Sequence, residues 1–410
     1  MRTAALRLMA GAALLFPLQV AHAAEDMPLA EVMAFQREMI TLDTHLDTPE
    51  SVDRPGWSIM ERHDMREDYT QVDVPRMKDG ELDGGFWAIY TPQGPLGAEH
   101  YAKVRDFAML RGLSIRLMIA ANPEQFELAL TADDAARINA EGKRIVYMSI
   151  ENAYPLGEDV SMLDLFYKMG VRETGFAHFG NNQFADSSTD PDGAKWHGLS
   201  PLGEKLLAAA NRLGMIIDGS HSSDEVLDQL IAKSTTPVVL SHSGCKAIFD
   251  HPRNVDDDRL RALAAKGGVI QINSYGGYLR ARSPNPERAA AYRALSTEMG
   301  EEATMTAEQW EVLLARRREI DARYPDTDRA TFDDFMKHLL HALDVVGPDH
   351  VGIGMDWDGG GGVVGLEDVS DLPRITAALL DAGYSKEDIA KIWGGNVLRV
   401  MRTVEAAAER

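Results

Sequence analysis

Eight short apolar or β-branched runs punctuate the chain, at residues 39–45, 84–90, 144–151, 171–178, 215–221, 237–242, 268–273 and 351–356. Each is short for a helix and stops at polar residues, the pattern of a strand buried on both faces. Helical patterns lie between most of them, at 202–213, 224–232, 257–266 and 332–346. In the first of these, Leu202, Leu206, Leu207, Ala210 and Leu213 share one helix face. A closing helix is expected over 385–401, with Ser385 as N-cap and Asp388 three positions on. Strands alternating with helices imply a parallel sheet with helical crossovers. Eight such units predict an α/β fold closed as a (β/α)₈ TIM barrel rather than an open sheet.

Catalytic groups on such a barrel sit at the C-terminal ends of its strands. Five of the eight runs end within about a residue of His45, Glu151, His178, His221 or His242, and a sixth ends at Asp356. Four of the chain's 12 histidines therefore fall at strand ends. Two stretches stand outside the repeat. Residues 280–328, rich in Arg, Glu and Ala, are predicted as a helical insertion before the last helix and strand. Residues 49–83 are predicted as a long irregular βα loop, a type that shapes or covers a pocket.

His45-Leu46-Asp47 is an H-x-D pair, and residues two apart on a strand face the same way. Imidazole and carboxylate both ligate zinc, although a polar loop pair would read the same. Glu151 caps a buried run, and a buried carboxylate needs a metal, a Lys or Arg partner, or hydrogen bonds. His221 and His242 each sit in a Ser-His-Ser triplet at successive strand ends. One buried His is commonly a hydrogen-bonded core residue, whereas two at equivalent barrel positions point to a site. Together these groups give three imidazoles and two carboxylates. That suffices for two zinc ions with one carboxylate bridging and positions open for water.

Asp356 precedes Trp357, Asp358 and a glycine run. A calcium loop would need later ligands at spacings this stretch lacks, and a general base suits the position better. His178 can orient a substrate carbonyl or serve as a more distant hydrogen-bonding residue. Arg253 follows His242 by eleven residues and can clamp a carboxylate bidentately or form a surface salt bridge. His338 and His341 lie three apart on a helix with no accompanying carboxylate motif, so a solvated or half-buried face is expected. Cys245 is expected as a small buried thiol rather than a nucleophile.

These motifs resemble the membrane (renal) dipeptidase family of zinc peptidases, from about Thr41 to Arg402. The carriers are Asp43-Thr44-His45-Leu46-Asp47, Ser149-Ile150-Glu151-Asn152, Gly170-Val171-Arg172, Leu199-Ser200-Pro201-Leu202-Gly203 and Asp218-Gly219-Ser220-His221. Ser241-His242-Ser243, Pro252-Arg253-Asn254-Val255, Gly352-Ile353-Gly354 with Asp356, and Trp393-Gly394-Gly395-Asn396 complete them. The resemblance implies a barrel of the metal-dependent hydrolase type holding two zinc ions, with a dipeptide as substrate. His45 and Asp47 match the ligands of one zinc, His221 and His242 those of the other, and Glu151 the carboxylate bridging both. Asp356 matches the acidic residue that manages the proton. His178 matches a contact to the substrate carbonyl, Arg253 a clamp on the substrate carboxylate, and Tyr275, more loosely, a pocket tyrosine. A homodimer is the family's suggestion. A related amide or lactam hydrolase, or a zinc-binding accessory protein without turnover, would share these ligands.

Residues 1–24 read as a signal peptide, with Arg2 and Arg7, an apolar run over 8–20, and Ala21-His22-Ala23-Ala24 at the cleavage region. The run is short against the roughly 20 residues of a membrane span, so an uncleaved anchor is the lesser alternative. No cysteine near the cleavage region offers a lipid anchor, and the polar C-terminal tail offers no GPI signal. The remaining 25–410 read as one barrel domain, exported to the periplasm or secreted, without a membrane anchor. With only Cys245, no intrachain disulfide can form, and a 410-residue chain that is 45% hydrophobic needs none. The formal charge of −22 repels nucleic acid and anionic lipid, which excludes nucleic acid as a partner.

Overall fold

The computed structural model describes residues 27–300 and 305–409, so the expected signal peptide at 1–24 lies outside the described residues. Eight parallel strands follow one another around a sheet in chain order. They are β1 (Leu42–Leu46), β2 (Gly84–Ile89), β3 (Arg144–Ile150), β4 (Val171–Gly175), β5 (Ile216–Asp218), β6 (Val238–Cys245), β7 (Val269–Ile272) and β8 (Val351–Ile353). Each falls on one of the eight apolar runs. The sheet returns on itself where Leu46 bridges Trp357 in parallel, with Asp47 N donating to Trp357 O at 2.9 Å. The Thr44 hydroxyl adds a bond to Ile353 O at 3.2 Å. The result is the α/β barrel the alternation predicted, with strands buried along almost their whole length.

Two further short strands were not legible: Phe126–Leu128 beside β3 and Asn254–Val255 beside β6. At three and two residues they carry no period.

The crossover helices begin where the sequence supplies caps. Ser200 Oγ accepts from Leu202 N at 3.1 Å and Gly203 N at 3.0 Å, opening the helix Pro201–Leu213. Ser223 opens Asp224–Lys233, Asp256 opens Asp257–Ala265, and a Thr331/Asp334 capping box opens Phe332–Val346. Each such cap contributes about 1 kcal/mol. The 24-residue helix Ala98–Ala121 was not singled out, because Leu110, Leu113 and Leu117 stand exposed and blur its apolar face.

The closing helix departs from a plain α-helix. Ser385 caps it as expected, accepting from Asp388 N at 3.1 Å. The expected continuous helix divides into Lys386–Ala390, a π-turn over Lys391–Gly395, and Asn396–Ala407. A Cβ on Gly394 would lie 2.6 Å from Ile40 O, so the turn is pressed against the base of the barrel. The extra residue of the π-turn lets Trp393 Nε1 reach Thr376 Oγ1 at 2.8 Å and Asn396 Nδ2 reach Val351 O at 2.9 Å.

The segment 49–83 is more ordered than the irregular loop expected. It holds three short helices, Pro49–Val52, Met65–Asp68 and Val74–Asp79. The buried Arg76 guanidinium braces it, donating to Asp73 Oδ2 at 2.6 Å and Thr70 O at 2.9 Å. The insertion 280–328 contains the helices Pro286–Met299 and Ala307–Arg323, as its composition predicted. It docks on the 49–83 segment through Tyr69 OH, which donates to Asp321 Oδ2 at 2.7 Å. No helix among the described residues is long and apolar enough to cross a membrane.

Candidate metal centre

The barrel brings the predicted residues to one end of its interior. His45 is the penultimate residue of β1 and Asp47 directly follows the strand, while Glu151 directly follows β3. His242 lies within β6. His178, His221 and Asp356 each sit three residues past their strand, further along than the sequence runs implied. His221 and Asp356 reach their positions through left-handed backbone, with φ of 62° and 66°.

Glu151 is the hub. Its Oε1 lies 3.6 Å from His45 Nε2, 3.4 Å from His178 Nε2, 3.4 Å from His221 Nε2 and 3.7 Å from His242 Nε2. His45 Nε2 is also 3.4 Å from Asp47 Oδ2, and the His221 and His242 Nε2 atoms are 2.9 Å apart. Three overlapping triads have ligand atoms within 4.8 Å of one another: His45/Glu151/His242, Glu151/His178/His221 and His45/Asp47/Asp356. The grouping differs from the expected pairing: His221 and His242 fall in separate triads, and Asp356 joins His45 and Asp47. His178 is as close to Glu151 as His221 is, so distance alone does not separate it from the ligand candidates.

The electrostatics are those of ionisable groups removed from water. Burial holds Glu151 well above the usual carboxylate range, with Asp47 adding to the shift. Burial pushes Asp356 up to about 7 against the opposing pull of His45. Burial drives His221 and His242 well below the usual imidazole range, and pushes His178 down to about 3 with help from Arg253. His45 goes the other way: burial disfavours its charge, but Asp47 and Glu151 outweigh it.

Several of these groups are buried without a hydrogen-bond partner among the described residues: both ring nitrogens of His45, Asp47 Oδ1, Glu151 Oε2 and His221 Nδ1. Leaving such an atom unsatisfied costs about 1–3 kcal/mol, and more when charged. A divalent cation in the centre would satisfy His45 Nε2 and the two carboxylate oxygens together, whereas Nδ1 of His45 and of His221 lies on the far edge of its ring. Neutral imidazoles mixed with carboxylates form the donor set zinc takes, whereas calcium and magnesium favour all-oxygen sites.

The loop after β8 fits tightly over Asp47 and Asp356. A Cβ on Gly359 would lie 2.0 Å from Asp47 Oδ2 and 2.4 Å from Asp356 Oδ1, so a larger residue there would displace both carboxylates. Asp358 anchors this loop, accepting from Gln71 N at 2.6 Å and Thr48 Oγ1 at 2.7 Å, while its own N donates to Gln71 Oε1 at 2.8 Å. The 49–83 segment thus holds the turn that carries Asp356. Sequence reasoning missed Gln71 because its partner is distant along the chain.

Arg253 is buried rather than a surface salt-bridge residue. Nη1 donates to Ser243 Oγ at 3.1 Å and Nη2 to His242 O at 2.8 Å, while Nε has no partner among the described residues. Its guanidinium lies 5.5 Å from the centre of the Tyr278 ring, which packs on Tyr275 at 4.4 Å. Tyr275 follows β7 and borders the loop at Gly360. It thus sits beside the loop whose Gly359 lies against Asp47 and Asp356.

The remaining candidates are structural. His338 is fully buried, not solvated: its Nδ1 accepts from Cys245 N at 2.9 Å and its Nε2 meets Leu279 O at 3.0 Å. His341 pairs with Asp257 at 2.8 Å. Burial pushes the Cys245 thiol up to about 12, which suits no nucleophile.

Residues 29–410 match the membrane dipeptidase family, peptidase family M19. The chain is 34% identical to dipeptidase tcpJ of Claviceps purpurea over 343 residues, 82% of this chain and 70% of that protein. Among solved structures, the probable dipeptidase PvdM from Pseudomonas aeruginosa superposes with a TM-score of 0.77 at 31% identity. That match covers 93% of this chain and 99% of PvdM. Dipeptidase AC, a metallopeptidase of family M19, gives a TM-score of 0.68 at 25% identity, over 89% of this chain and 98% of that one.

Proposed function

This chain belongs to the membrane dipeptidase family of metallopeptidases, and on that premise we propose that it hydrolyses dipeptides at a site holding two zinc ions. The observation that carries the reading is Glu151, one carboxylate oxygen within 3.4–3.7 Å of four imidazole nitrogens. His45 and Asp47 would hold one ion, His221 and His242 the other, and Glu151 would lie between them. When bound, the ions supply Lewis acidity that lowers the pKa of water and polarises a carbonyl.

The chain's own groups do the rest. His178, neutral in its buried pocket, donates a hydrogen bond to the substrate carbonyl and favours charge building on that oxygen. Asp356 takes the proton of the attacking water and passes it to the leaving amine. Arg253 pairs with the free C-terminal carboxylate, and Tyr275 lines the pocket beside it. That pairing sets the substrate length, because the scissile bond must lie one residue from a charged end.

Export is read from residues 1–24 alone: a positive start, a short apolar run and small residues at the cleavage region. We take the mature enzyme to act in the periplasm or outside the cell.

Arg253→Ala is expected to raise KM for dipeptides about ten- to a hundredfold, the scale of a hydrogen bond to a charged group. C-terminally amidated dipeptides, which already lack the charge, should lose little. Steady-state kinetics on matched acid and amide substrates test this. Equal losses on both sets would remove the clamp, and tripeptides cleaved as fast as dipeptides would remove the length limit.

A further inference from the structure

The two Ser-His-Ser triplets contribute their histidines to the centre, and their serines form a second arrangement beneath it. Ser241 Oγ lies 2.6 Å from Asp218 Oδ2 and 2.8 Å from His242 Nδ1. Asp218, Ser241 and His242 are all at most 1% exposed, shut off from bulk water. The direction of each bond follows. A carboxylate only accepts, so the Ser241 proton points to Asp218. The Ser241 oxygen then accepts from His242 Nδ1–H, which leaves the lone pair on Nε2. Nε2 is the atom that faces Glu151 Oε1 at 3.7 Å and His221 Nε2 at 2.9 Å.

The rest of the arrangement fixes the same ring. Asp218 Oδ1 accepts from Ser220 N and Ser241 N, each at 2.9 Å. His242 N donates to Ser220 Oγ at 3.1 Å, and His242 O accepts from Arg253. By contrast, the Nδ1 atoms of His45 and His221 have no hydrogen-bond partner among the described residues.

We propose that Asp218, acting through the Ser241 hydroxyl, is a positioning residue that locks His242 in the Nδ1–H tautomer and aims its Nε2 lone pair into the centre. This rests on the metal reading of the site. An outer partner of a metal-binding histidine fixes ring orientation and raises ligand basicity, and its loss typically costs 10–100-fold in metal affinity.

The test is a zinc titration of the whole protein against a chromophoric chelator, comparing the parent with Ser241→Ala and Ser241→Thr. Ser241→Ala is expected to bind zinc about 10–100-fold more weakly in its affected step. Ser241→Thr, which keeps the hydroxyl, should recover most of that affinity. The unfolding midpoint of metal-free Ser241→Ala should stay within about 4 °C of the parent, since even a loss of about 3 kcal/mol from stranding buried partners moves a chain of this size no further. Parent affinity in Ser241→Ala, or Ser241→Thr as weak as Ser241→Ala, overturns the relay while leaving the centre intact. A parent that takes up no zinc in the same titration overturns the metal reading itself.

Discussion

Glu151→Gln is expected to deprive the protein of its response to zinc and to cut dipeptide hydrolysis by more than the 10–100-fold typical of losing an outer partner. The argument starts from burial. Glu151 is 5% exposed, and its carboxyl is held well above the usual range, chiefly by desolvation. An acid whose folded pKa is raised weakens the folded state at pH above its unfolded value, here through the neutral range. In metal-free protein the neutral amide removes that cost, so metal-free Glu151→Gln should unfold at or above the parent's temperature. Zinc should reverse the order. A ligand at 100 times its Kd adds about 2.7 kcal/mol to the form that binds it. The parent's midpoint should rise on adding zinc and the variant's should not. Thermal unfolding with and without the metal reads both arms, and a variant that still gains stability from zinc would displace Glu151 from the middle of the site.

Asp356→Asn should separate proton transfer from metal binding. The expected result is a fall in kcat of about 10²–10⁴ with zinc content unchanged, the range for a positioned acid–base group. Asn matches Asp in shape and is among the residues that tolerate the left-handed backbone, which Asp356 adopts at φ 66°. The loop should therefore persist, held by Asp358 on Gln71 and Thr48. Near-normal kcat with full zinc would remove Asp356 from the proton path.

Much of this was legible because a barrel strand buried on both faces reads as an apolar run with a polar stop. The stops at His45 and Glu151 mark strand ends closely, while the one at His242 falls three residues before the end of β6. Those at His178, His221 and Asp356 overshoot by three residues, since the chain leaves the sheet before reaching them. The partners beneath and above the centre were not legible. Gln71 and Asp358 are 287 residues apart, and nothing local ties them. Asp43 and Asp218 stood in the motifs Asp43-Thr44-His45 and Asp218-Gly219-Ser220-His221, but their role depends on which backbone N–H groups and hydroxyls they meet. Asp43 accepts from His45 N at 2.9 Å and Met355 N at 3.1 Å, joining the first and last strands beneath the site. The π-turn at Lys391–Gly395, where Gly394 lies close against Ile40, was hidden for a similar reason, since helical periodicity does not record such contacts.

The central claim is a two-zinc peptidase built on Glu151. It is tested most directly by measuring metal content and dipeptide hydrolysis on one purified sample, before chelation, after it, and after zinc is restored. Two zinc per chain, with cleavage lost on chelation and regained with zinc, is the expected result. Full dipeptide cleavage by chelated, zinc-free protein, or two bound zinc ions without cleavage of any dipeptide, would contradict it.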